Sequence, residues 1–284
     1  MDPYLLEAAI NGLLLAGVLA LLALGLNLIF GVIDVVWIAY ADLVMCGMYT
    51  VYWLFAQFGW PLPIAFAAAI LEVAALGALV HLLIIAPILS SAPINQLLAT
   101  GGLLYFLQSF ATLIFSTDFR NIGLRLPIIE IGGLYISYAR LLAFAVALAG
   151  AVVLYWFLRR TYVGTAIRAI AQDREIVGLM GVDQRRIYLV TSAIGGALAG
   201  LGACLLALQY DVHPFIGNTF GPLIFMICVL GGLGNMIGGF IAAFVISQII
   251  AIGGYYFSTE LSYVLAFTLF IVLMFIRPQG ILGR

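Results

Sequence analysis

Charge is what this sequence lacks most. Of 284 residues only 8% are charged, and all eleven basic residues are arginine. Hydrophobic residues make up 65%, and the mean hydropathy is +1.23. That balance excludes an ordinary soluble domain. The two histidines, His81 and His213, stand far apart, and the three cysteines, Cys46, Cys204 and Cys228, sit singly in apolar runs. Neither set has the paired spacing of a metal or redox centre, so the cysteines read as small packing residues and no metal or cofactor is expected. There is no phosphate-binding loop, no nucleophile elbow and no zinc-hydrolase helix. No catalytic residue is therefore expected, and the chain is not expected to be an enzyme. The start, "MDPYLLEAAI", has two acids and no base, unlike a cleavable signal peptide, so the first apolar run is expected to be a retained span. The net charge of -1 gives no pointer to partners, and no nucleic acid is expected among them.

What the sequence has is a series of long apolar runs. A helix crossing the hydrocarbon core needs about 20 mostly apolar residues. Runs at 11–33, 38–57, 61–86, 96–115, 139–158, 188–209 and 261–276 meet that need, and the tract 212–259, with no Asp, Glu or Arg, is long enough for two more. The expectation is a single all-α transmembrane domain over 1–284, a polytopic bundle of about eight to ten helices. The segment 116–138 is too polar to span, and its alternating "LYISY" fits a strand or a surface element. Small residues such as "GGALAGLGA" at 195–203 suit close helix packing.

Six of the eleven arginines fall in 159–187. Since cytoplasmic loops are enriched in basic residues, this segment and the C-terminus are expected in the cytoplasm and the N-terminus outside. Arg120, Arg125 and Arg140 then lie outside, against the rule, near Asp118 and Glu130. In outline, the first span with the loop and helix after it resembles the span at 188–209 with its own succeeding loop and helix, in the opposite orientation. Inverted repeats of that kind occur in transporters.

The stretch Gly164–Gly178 alternates apolar and polar residues in the manner of a short amphipathic helix, with Asp173 able to cap or start a second turn at Arg174 and Gly178 and Gly181 able to end it. Three readings are open: a helix lying on membrane lipid, a solvated connection, or a docking element for a cytoplasmic partner. The residues also carry a resemblance. Gly164, Arg168, Ala169, Ala171, Asp173 and Gly181 match, without gaps, the cytoplasmic coupling loop of branched-chain amino acid ABC transporter permeases, the shorter of their two permease subunits. "VLGGLGNMIGG" at 229–239, "RPQGILG" at 277–283 and "QYDVHPFIG" at 209–217 are similar to that family's motifs and stand in the same order.

The resemblance implies a coupling helix that fits a groove on an ATP-hydrolysing subunit. Gly164 and Ala169 belong to the matched motif, Arg168, Asp173, Arg174 and Glu175 would make contact, and Gly178 and Gly181 would set the turn. It further implies a second, homologous permease subunit, two cytoplasmic ATP-binding subunits and an extracytoplasmic substrate-binding protein. The setting would be the bacterial inner membrane. The expected function is ATP-driven alternating access for amino acids, branched-chain or otherwise hydrophobic. The alternatives are an ion-coupled secondary carrier, or a passive channel for a small solute such as urea. There are departures too. Trp37-Ile38-Ala39-Tyr40-Ala41-Asp42 stands where the family has Asn-Phe-Ala-His-Gly-Glu, His81 replaces a Glu, and "APIL" at 86–89 lacks two arginines. The chain reads as a diverged member.

Polar groups inside spans are costly and mark candidate function. Asn27, Tyr40, Asp42, Glu72 and Asn218 are the candidates for the translocation path. Each has a bland counterpart: a packing partner for Asn27 and Glu72, an interfacial end charge for Asp42, a surface turn for Asn218. "GGLGN" at 231–235 reads as a tight turn or as unwound backbone in the path.

Overall fold

A computed structural model describes residues 3–124, 127–131 and 134–282 of the chain. Every expected crossing is a helix. These are α1 (Pro3–Ile33), α2 (Tyr40–Val51, continued by a π-helical turn at Tyr52–Gln57), α3 (Leu62–Ile88, with a π-helical turn at His81–Ile85) and α4 (Pro93–Phe115). A β-hairpin comes next, β1 (Ile128–Ile131) against β2 (Leu134–Ser137), antiparallel with Glu130 opposite Tyr135. Then come α5 (Tyr138–Arg160), two short helices α6 (Tyr162–Gln172) and α7 (Arg174–Leu179), and α8 (Gln184–Ala207). The chain continues through α9 (Ile216–Gly231), α10 (Met236–Tyr256) and α11 (Thr259–Ile276). Among the described residues seven helices are long and apolar enough to cross a membrane, while α2 and α9 are shorter. The chain is a multi-pass membrane protein.

Local chemistry starts and stops these helices. Pro93 opens α4 at a position where the missing N–H costs nothing. Side chains cap α6 (Thr161), α8 (Asp183), α10 (Asn235) and α11 (Ser258) by accepting hydrogen bonds from first-turn amides. The polar segment starts earlier than the helix expected over 164–178, at Thr161, and Asp173, where a second turn was expected to begin, adopts an extended backbone that divides it into α6 and α7.

The bundle has two ends. At one, the α5–α8 segment, the α9–α10 turn and the C-terminal residues gather: Arg174 pairs with Asp34 after α1, and the Ile281 amide donates to the Leu230 carbonyl. At the other, the 116–124 loop meets the α8–α9 connection, where Arg120 and Val212 exchange backbone hydrogen bonds. We call these the arginine-rich end and the hairpin end.

The core is organised around α1, of which 83% of the most apolar window is buried, against 11% for the peripheral α11. The packing pattern has a repeat. Helices α1–α2–α3 and α8–α9–α10 exchange their third members: α1 packs on α10 and α3 packs on α8, while α2 meets α8 and α9 meets α1. The similarity in outline between the first span and the 188–209 span thus extends to three helices on each side. Close approach is carried by small residues. A Cβ on Gly77 of α3 would stand 2.6 Å from the Ser192 carbonyl oxygen of α8, and one on Gly196 would run into the Val73 carbonyl.

Candidate functional site

In both repeats the second helix begins inside the bundle rather than at its surface. After α1 the chain turns at Asp34, in the left-handed region at φ 63°, and runs inward through buried Val35 and Trp37 to α2. The Tyr40 hydroxyl donates to the Gly195 carbonyl in α8 at 3.0 Å. After α8 the chain turns inward through buried Val212 and Pro214 to α9. The two helix starts meet. A Cβ on Gly217 would stand 2.6 Å from Asp42 Oδ1, and one on Gly221 would stand 3.3 Å from the Ala41 Cβ. Glycine at these positions lets the two N-termini touch.

A cavity lies on each side of this meeting point. The first, about 440 Å³, is walled by the 36–41 segment, by Leu97 and Leu104 of α4, and by Asn218, Pro222 and Phe225 of α9. The second, about 330 Å³, is walled by Cys46, Tyr49 and Thr50 of α2, Glu72 of α3, and Leu107, Phe110 and Phe115 of α4. Both are mainly apolar and of a size that holds a small organic solute. Along α2 and along α4 they succeed one another, the first nearer the arginine-rich end.

Between them sits a polar cluster. Gln108 of α4 uses its amide nitrogen twice, donating to Asp42 Oδ1 at 2.9 Å and to Asn218 Oδ1 at 2.8 Å. Asp42 is fully buried, and its Oδ2 has no hydrogen-bond partner among the described residues. The two ion pairs among the described residues, Arg174–Asp34 and Arg186–Asp183, lie elsewhere. What favours the carboxylate is its place in the first turn of α2, at the positive end of the helix dipole. Asn218 is exposed to the first cavity. Four residues on, Pro222 cannot donate the helical hydrogen bond to the Asn218 carbonyl.

The structure thus brings Tyr40, Asp42 and Asn218 together. It puts Glu72 at the second cavity, where the Thr50 hydroxyl donates to its carboxylate. Asn27 lies apart from both cavities. Its Oδ1 accepts from the Gly234 amide at 3.2 Å and so holds the 231–235 segment. That segment is a tight turn, with Gly232 and Gly234 at positive φ, and it is tied down by Asn235, whose amide donates to the Leu282 carbonyl. Gln108 was missed from sequence. Its signal was a lone amide within "LLYFLQSFATL", the kind of polar interruption that is expensive in a span unless paired.

At the arginine-rich end, α6 is amphipathic. Ala166, Ile167 and Ile170 are buried against the bundle, while Thr165, Arg168 and Gln172 face out. Gly164 lets α6 fold back on α5, since a Cβ there would stand 2.5 Å from Leu158 Cα. Ala169 is half-buried, Asp173, Arg174 and Gly178 are exposed, and Gly181 turns the chain at φ 81°. The side chain of Glu175 lies outside the described residues.

A multi-pass bundle with paired interior helix starts, solute-sized cavities and one amphipathic element turned outward defines a membrane permease. Residues 8–274 match the family described as branched-chain amino acid transport system / permease component. The chain is 32% identical to the high-affinity branched-chain amino acid transport system permease protein BraD of Pseudomonas aeruginosa, over 98% of this chain and 96% of that one. It is 29% identical to LivH of Escherichia coli K12, a permease protein of the same description, over 99% and 96%. The fold is shared with a chain of PsaBC from Streptococcus pneumoniae, solved with a Fab, at a TM-score of 0.51 and 15% identity over 95% of this chain and 91% of that one. The chain belongs to the branched-chain amino acid ABC transporter permeases.

Proposed function

We propose that the chain is one of two homologous permease subunits of an importer for branched-chain or other hydrophobic amino acids, working by alternating access. Two ATP-binding subunits engage it in the cytoplasm, and a soluble binding protein delivers the solute from outside. The arginine-rich end faces the cytoplasm, with the C-terminus, in an inner membrane. Family membership and the arginine bias support this orientation. The observation that carries the reading is α6, whose apolar face is spent on the bundle while Arg168 and Gln172 are turned outward. The apolar cavities suit a hydrophobic side chain. Tyr40, Asp42 and Asn218 are assigned to the path, with Glu72 at its second cavity, and Arg168, Asp173 and Arg174 to the ATPase contact.

The test is purification of the tagged chain in mild detergent, with mass spectrometry of what accompanies it, beside a variant with Arg168, Asp173 and Arg174 changed to Ala. ATPase subunits are expected with the wild type and depleted from the variant, and reconstituted wild type takes up leucine only with ATP. A chain that purifies alone and transports without ATP would overturn the reading.

A further inference from the structure

The Gln108 amide makes an unusual pair of contacts for a residue in the middle of a span. Its one nitrogen carries two hydrogens and serves two oxygens, Asp42 Oδ1 and Asn218 Oδ1, which belong to two different helix starts. One acceptor beside that nitrogen is unfilled: Asp42 Oδ2 is buried with no partner among the described residues. A buried anion with an unfilled acceptor is costly, and no described cation offsets it. A converging set of oxygens, one of them charged, is what a primary ammonium group with three N–H donors would fill.

We propose that Asp42 and Asn218 form the binding point for the solute's ammonium group, and that Gln108 holds its place when the solute is absent. This rests on the permease reading above and names the feature of the amino acid that the path reads. The solute enters the first cavity, lays its side chain against Trp37 and Phe225, and brings its ammonium to Asn218. The ammonium then takes the acceptors from the Gln108 amide, which swings away. Because Gln108 lies between the two cavities on α4, its departure also opens the passage from one to the other. The cluster is at once a reader of amines and a gate. It would reject a solute of equal size and shape that lacks the amine, since that solute cannot replace the donors it displaces.

The test uses the whole transporter, with its partner permease and ATPase subunits, in nanodiscs without the binding protein. Leucine and its deaminated analogue 4-methyl-2-oxopentanoate are compared by saturation-transfer NMR. The wild type is expected to bind leucine and not the keto acid. Asp42→Asn keeps the shape and removes the charge, and is expected to weaken leucine binding at least tenfold. Gln108→Met keeps the length and removes the competing donor, and is expected to bind leucine at least as tightly as the wild type. A merely structural role for Gln108 would make that variant fall together with Asp42→Asn, and this would overturn the inference. So would wild-type affinity in Asp42→Asn, equal binding of the keto acid, or no leucine signal in a wild-type complex that transports leucine. ATP-driven leucine uptake is measured on the same preparations with the binding protein restored. Its absence in the wild type sinks the permease reading itself, whereas undiminished uptake by Asp42→Asn sinks only the gate.

Discussion

Arg174 of α7 reaches the carboxylate of Asp34 at 3.6 Å, joining the outward polar segment to the turn from which the chain dives toward the first cavity. Both side chains are well exposed, so the pair contributes little to stability, about 0–1 kcal/mol. Its place matters more than its strength, because only Val35 separates Asp34 from cavity-lining Val36. Asp34→Asn, which suits the left-handed backbone at 34 as Asp does, is expected to lower ATP-driven uptake several-fold while basal ATPase activity and thermal stability hold. In an Arg174→Ala background the same change should lower uptake no further. If the two losses add, the pair does not carry motion from the polar segment to the path.

Packing between α3 and α8 gives a second expectation. A Cβ on Gly196 would collide with the Val73 carbonyl, which is backbone and cannot step aside. Gly196→Ala should therefore destabilise the fold by about 1–3 kcal/mol, the usual range for overpacking. The control is Gly101→Ala on α4, which meets nothing within 4 Å. Thermal aggregation of the purified chain separates them: a lowered midpoint for the first and an unchanged one for the second.

These contrasts show what could be read without coordinates. Hydropathy marked every crossing, because a spanning helix needs a continuous apolar run whatever it packs against. The amphipathic α6 was visible from its own period. Tyr40, Asp42 and Asn218 were flagged as costly polar groups, but nothing in the sequence said that Asn218 of α9 converges on Tyr40 and Asp42 of α2, since the two helices are far apart in the chain and meet only because Gly217 and Gly221 permit it. Gln108 was overlooked for the same reason, as an amide shows its use only through its partners. Asn27 looked like the others, yet it holds the 231–235 turn. The division at Asp173 was legible too, because a short polar side chain there can cap a second turn at Arg174.

Glu72 provides the means to separate ATP drive from ion drive. It is an exposed acid in α3, bound by Thr50, at the wall of the second cavity. In an ion-coupled carrier such an acid would carry the coupled proton, and its amide would abolish accumulation. Glu72→Gln keeps the oxygen that accepts from Thr50, so uptake within about threefold of wild type is expected, insensitive to a protonophore while ATP is supplied. Loss of uptake with intact ATPase activity would return Glu72 to the centre of the mechanism.

Acid sensitivity is expected at the hairpin end. His213 lies in the α8–α9 connection with its ring 4.6 Å from that of Phe119. Burial lowers its pKa below the ordinary 6.5, and the nearby Asp211 opposes the shift only in part. The folded state thus binds the proton less readily than the unfolded state does. Between the lowered folded pKa and 6.5 the unfolded chain holds more protons, so stability rises with pH through that window. The contribution is present in full above 6.5 and is lost as pH falls toward the folded value. Thermal midpoints of the purified chain should fall between pH 7.5 and pH 5. His213→Gln, which cannot titrate, should flatten part of that slope while leaving the midpoint at pH 7.5 nearly unchanged. An identical slope in the variant would mean that other groups govern the acid response, and that the turn leading into α9 is not weakened by protonation.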